Sequence, residues 1–170
     1  MIRKEDRPMP VEDYIQIMIE SLSKKSELLD RIIRKNEAQH ECVAGKDYDE
    51  VDWDAFNLIV AEKQTAIDRI VKMDEGFQSL YDRVKEQLND GKDKYADKIK
   101  EIQRLITKVT EQGVKITTGE ARNRKIIEKL FVNRKKEIKR TRNSLKVANS
   151  YAQTMSGDFG SDFSAHDIKN

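Results

Sequence analysis

Two stretches carry side chains of the kind that hold metals. His40-Glu41-Cys42 sets an imidazole and a thiol two residues apart, but a structural zinc site takes four ligands and no second pair follows. The run Asp47-Tyr-Asp-Glu-Val-Asp-Trp-Asp54 has the acid density of a calcium loop. An EF-hand beginning at Asp47 needs glycine where Asp52 stands and glutamate where Leu58 stands, so the run reads instead as an acidic turn and helix start. No Walker or Gly-x-Gly-x-x-Gly sequence occurs, and no serine or cysteine nucleophile has a supporting histidine, the second histidine being His166 near the end. The expectation is no catalytic residue, no metal and no cofactor: this is not an enzyme.

A different chemistry is available in the last third. The segment Arg134-Lys-Lys-Glu-Ile-Lys-Arg-Thr-Arg142 is strongly basic. Residues 120–148 hold 11 bases against three acids, a balance of +8, whereas residues 11–90 hold 19 acids against 11 bases, a balance of −8. Clustered Lys and Arg can release counterions from phosphate, which raises nucleic-acid binding as one reading. Against it, no basic region forks from a leucine heptad and no helix-turn-helix signature is present. Within the same stretch apolar residues recur at helical steps, which offers a second kind of contact, with the apolar face of a partner helix.

The elements that must position these residues follow from composition and period. Charged residues make up 38%, aromatics 6%, there are two prolines, and the mean hydropathy is −0.80. Such values favour long helices with thin apolar seams over a thick core or a catalytic cleft. The expected fold is all-α, an elongated antiparallel helical hairpin or three-helix coiled-coil-like bundle with one very long C-terminal helix. Residues 1–10, ending Pro8-Met-Pro10, read as a flexible leader. A single helical domain then spans 11–148, with helices over about 11–43, 52–88 and 92–148, and residues 149–170 read as a flexible tail. The tail's Tyr151, Phe159, Phe163 and Ile168 are isolated.

In the first helix the stripe is Val11, Tyr14/Ile15, Met18, Leu22, Leu29, Ile32/Ile33 and Val43, with Lys25, Asn36 and Gln39 as polar members of the same frame. Gly45 is a helix stop and Asp52 an N-cap. The second helix carries Trp53, Phe56, Val60, Ile67, Ile70, Phe77, Tyr81, Val84 and Leu88, interrupted by Lys63 and Asp74. Asn89-Asp-Gly91 turns the chain, so Trp53, Phe56, Ile67, Ile70, Phe77 and Tyr81 should face Tyr95, Ile99, Ile102, Ile106 and Val109 in an antiparallel hairpin, with Phe77 buried. Gly113-Val-Lys-Ile-Thr-Thr-Gly119 has poor helix propensity. It reads in three ways: a stretch held helical by packing, a close helix approach or kink, or a break into shorter helices.

If unbroken, roughly 55 residues at about 1.5 Å each make a rod on the order of 80 Å, against roughly 45 to 55 Å for its two partners. Part of the long stripe should be uncovered. The candidate binding residues are therefore Ile126, Ile127, Leu130, Phe131, Ile138 and Leu145, with Arg134, Lys135 and Arg142 steering approach. An uncovered stripe can equally pair with a second copy, giving a homodimer. The single Cys42 excludes an internal disulfide, no apolar run suits a membrane span, and Met1–Pro10 lacks a signal-peptide core. The expected location is cytoplasmic, with no membrane insertion.

The order of features resembles the FlgN/FliT-type flagellar export chaperones, nearer to FlgN. The resemblance rests on Tyr14-Ile-Gln-Ile-Met-Ile-Glu-Ser-Leu22, Glu62-Lys63, Asp74-Glu-Gly-Phe-Gln-Ser-Leu-Tyr-Asp82, Lys94-Tyr-Ala-Asp97, Glu120-Ala-Arg-Asn123 and the ending Phe163–Asn170. It covers most of the chain through motifs of low specificity, because long charged helices resemble one another. It implies a helical, antiparallel chaperone that holds late flagellar subunits, the hook–filament junction proteins for FlgN, through its distal helix. It also implies delivery to the membrane export gate through a tyrosine late in the chain, for which Tyr151 is the candidate. The other readings are a generic coiled-coil scaffold and a helical nucleic-acid binder.

Overall fold

The computed structural model describes the backbone of residues 9–167 and the side chains of residues 9–156. The chain is all-α: helices α1 (Val11–Val43), α2 (Trp53–Asp90) and α3 (Ala96–Asp167), with a single 3-10 turn at Tyr48–Glu50 and no strand among the described residues. By their contacts the residues form two units, Met1–Ile126 and Ile127–Asn170, where the sequence suggested one helical domain over 11–148. Of the expected flexible leader, residues 1–8 lie outside the described residues.

Local chemistry sets the helix ends. Pro10 fixes the entry to α1, whose first turn carries Glu12 and Asp13 toward the positive dipole end. Gly45, at φ +68°, ends it in the left-handed region that a side chain would resist. The acidic run is the expected turn and helix start. The Glu50 carboxylate accepts the Asp47 N–H at 3.2 Å, and Asp52 caps α2 by accepting the Ala55 N–H at 3.0 Å. Trp53 joins this corner, donating its indole N–H to the Tyr48 carbonyl at 3.0 Å.

In the first unit α1 is the central helix. Ten of its 33 residues are buried against four of 38 in α2, which a helix packed on two sides requires. Ion pairs Lys25–Asp74 and Lys35–Glu62 show α2 running antiparallel to α1. The contacts Glu12–Lys94, Ser26–Gln112 and Glu37–Arg122 show the first part of α3 running parallel to it. The apolar core gathers at the α2–α3 turn: Ile15, Met18 and Leu22 from α1, Val84 and Leu88 from α2, and Tyr95, Ile102 and Leu105.

This arrangement corrects the expected seam. The residues of α2 and α3 do not simply face one another, because α1 carries the more continuous heptad stripe and both helices dock on it. The face of α2 turned inward runs through Phe56, Ile59, Lys63, Ala66, Ile70, Met73, Phe77, Leu80, Val84 and Leu88, at steps of three and four. Val60, Ile67 and Tyr81 fall one position off this frame and are exposed, as is Ile106 on α3. Phe77 is only partly buried, packed on the edge of the core.

Away from the core end the seam is polar. Gln112 donates to the Ser26 carbonyl at 3.0 Å and to Asp30 at 2.7 Å. Asn36 donates to the Ile116 carbonyl at 3.3 Å and accepts, through its own backbone carbonyl, from the Asn123 amide at 2.9 Å. Lys63, only 6% exposed, donates to Gln39 at 2.8 Å and pairs with Glu120. Such groups fix register, since each would be left buried without its partner if a helix slid by one turn. The weak stretch 113–119 is helical throughout. Gly119 there answers a close approach to α1, while nothing neighbours the position of a Cβ on Gly113.

The change of composition at Asn149 does not end α3, which continues to Asp167. Leu145, Ala148, Ala152 and Met155 keep the helical step of the stripe, and alanine is the strongest helix former. The side chains of Phe159 and Phe163, and Ile168 altogether, lie outside the described residues.

Candidate functional site

The residues read from sequence as a binding stripe fall into two sets along α3. Ile126, at the end of the first unit, and Ile127, at the start of the second, are half-buried, and Leu130 is buried at 6% exposure. These three stand at helical steps from the buried Asn123 and continue its face of the helix. Leu130 therefore does not belong to an uncovered stripe. Phe131, Ile138 and Leu145 are exposed at 46%, 40% and 56%. Phe131, Ile138 and Leu145 are spaced by seven, so one side of the helix carries an apolar residue about every two turns.

The surroundings of Ile138 are cationic. Lys135, Lys139 and Arg142 border it, with Asn143 and Lys146 beyond. Arg134 lies 3.9 Å from Glu137 on the same helix, so part of its charge is balanced locally. Lys135 and Arg142, the other two steering candidates, are exposed. Tyr151 is exposed at 69% and stands on the continuing helix. Its ring is presented from a regular surface, one turn from Val147 and Met155 in either direction.

Two features escaped the sequence reading. Met155 extends the stripe beyond Leu145 through Ala148 and Ala152, a signal visible as steps of three and four but placed in what read as tail. The other is a groove between α2 and α3 in the first unit, which no single helix reveals because two elements must splay to make it. The metal-like stretches do not assemble a centre: among the described residues no three His, Cys, Asp or Glu side chains converge for a metal ion. Among them too, no helix is long and apolar enough to cross a membrane.

Comparison with protein-family models, with curated proteins and with solved structures gives no match for this chain.

Proposed function

We propose that this chain is a cytoplasmic, non-enzymatic flagellar export chaperone of the FlgN/FliT type, nearer to FlgN. It holds a hook–filament junction protein by a terminal helix and hands it to the membrane export gate. The observation that supports this most directly is the exposed pair Ile138 and Leu145, set among Lys135, Lys139, Arg142 and Lys146 on one regular helix. An amphipathic partner helix buries its anchors on such a stripe, while cations around it speed the approach of an acidic-flanked segment. Tyr151, a few residues on and exposed, is the side chain proposed to dock on the export gate.

Self-pairing through the same stripe would bring Lys135 and Arg142 of two copies toward one another, and like charges at flanking positions disfavour it. The test is a pull-down of hook–filament junction proteins by the full chain and by Ile138→Asp/Leu145→Asp. Loss of capture with unchanged helical content supports the reading. Should the apolar pair be silent while reversal of Lys135 and Arg142 removes binding to every acidic polymer tried, a nucleic-acid binder replaces it. Capture of only a second copy of the chain would instead favour a coiled-coil scaffold.

A further inference from the structure

The first unit carries a second surface, far in sequence from the stripe of Ile138 and Leu145. Where α2 and α3 leave the turn at Gly91, both rest on α1 but their facing edges stay apart. The space between them is a groove of about 770 Å³. Met18 of α1 lies at its floor, Phe77, Tyr81 and Leu88 line one wall, and Ile99, Ile102 and Ile106 the other. Tyr81 and Ile106, on opposite walls, are 41% and 43% exposed, so each leaves a large apolar face open to water.

Its length matches a helix. Phe77 and Leu88 lie 11 positions apart on α2, which at about 1.5 Å per residue is roughly 16 Å, or about three turns. Two helix edges over a third helix leave the cradle into which a fourth packs when a bundle is completed. The polar lining has one sign. Lys85, Lys92 and Lys100 border the groove with Gln78, Asn89 and Gln103, and no acidic side chain lines it. None of the three lysines takes part in an ion pair among the described residues.

From this we infer that the groove is a docking site for an acidic amphipathic helix of a partner protein. Two or three large apolar side chains of that helix, at steps of three and four, enter between Phe77, Tyr81, Ile99 and Ile106. Its Asp or Glu side chains meet Lys85, Lys92 and Lys100 at the rim. A second copy fits less well, because a two-fold contact through this face would set the three lysines against their own counterparts. The site rests on the first unit alone and is independent of the export reading.

The test uses the full chain and a fluorescein-labelled synthetic helix of about three turns, with leucines at steps of three and four and glutamates beside them. The same peptide with lysine for every glutamate is the control. Fluorescence anisotropy should show binding of the acidic peptide only. Tyr81→Asp/Ile106→Asp should weaken it by about tenfold or more, with circular dichroism unchanged because both side chains are already half open to solvent. Lys85→Glu/Lys92→Glu/Lys100→Glu, which touches only the surface, should invert the preference toward the lysine peptide. Equal binding of the two peptides, or no loss in the apolar pair, would overturn the assignment. So would a dimer in sedimentation that Ile106→Asp dissociates and the acidic peptide fails to displace, which would make the occupant a second copy.

Discussion

Gly119 of α3 lies against the side chain of Asn36 of α1: a Cβ on the glycine would stand 3.2 Å from the Asn36 amide nitrogen and 3.4 Å from its Cβ. Asn36 is 2% exposed and held by hydrogen bonds to α3 through both its amide and its backbone carbonyl, so it has little room to yield. Gly119→Ala should therefore lower stability despite the gain in helix propensity. Gly113→Ala, with nothing within 4 Å of its added Cβ, should raise stability by about 0.5 to 1 kcal/mol. Urea midpoints moving in the same direction for both variants would contradict a close approach specific to Gly119.

The buried ammonium of Lys63 gives an asymmetric expectation. Replacing it by methionine keeps the aliphatic volume and removes a charge from the seam, so Lys63→Met should lie within about 1 kcal/mol of wild type or above it. Glu120→Ala leaves that ammonium with Gln39 alone and should cost about 1 to 3 kcal/mol, discounted because the Glu120 side chain is 39% exposed. Paired urea titrations read both. Lys63→Met being the more damaging of the two would show that the pair stabilises beyond its burial cost.

Packing at the turn separates two side chains that the sequence treats alike. Leu88 belongs to the buried core, whereas Phe77 packs on its edge and lines the groove. Leu88→Ala should cost about 2 to 5 kcal/mol and Phe77→Ala only about 1 to 2 kcal/mol. Thermal unfolding of the two variants orders them. Equal losses would place Phe77 in the core after all.

Along the second unit, burial predicts which substitutions harm the fold and which harm binding. Leu130→Asp should lower stability by several kcal/mol, about 3 or more, since it buries a carboxylate without a partner. Ile138→Asp and Leu145→Asp should change it by less than about 0.5 kcal/mol, because both side chains already meet solvent. Differential scanning fluorimetry distinguishes them. A large loss at Ile138 would mean that this face is covered in the free protein.

At the start of α1 the Glu12 carboxylate has its proton affinity lowered below the ordinary 4.5, first by its own backbone N–H and then by Lys94, 3.4 Å away. A carboxyl whose folded-state value is depressed stabilises the fold above its unfolded value and loses that stabilisation as pH falls through the folded value. The stability difference between wild type and Glu12→Gln should therefore be largest near neutral pH and vanish in acid. A difference that grows on acidification would reverse the assigned sign.

Much of the fold was present in the sequence. The period of three and four, the prolines at positions 8 and 10, Gly45, Asp52 and the Asn89–Gly91 turn fix three helices and every end but the last, that of α3, because capping and backbone freedom act over a few residues. The α1 stripe was legible for the same reason, including the polar Asn36 and Gln39 in its frame. Partner choice was not. Both α2 and α3 carry apolar residues on more than one face, and only tertiary packing selects which face meets α1. That selection buries Lys63, leaves Tyr81 and Ile106 beside a groove, and turns Gly119 from a weak helix residue into the space that Asn36 requires. It also decides that Phe131, Ile138 and Leu145, of the stripe the sequence drew through six positions, stay open to solvent, since exposure depends on neighbours that periodicity does not name.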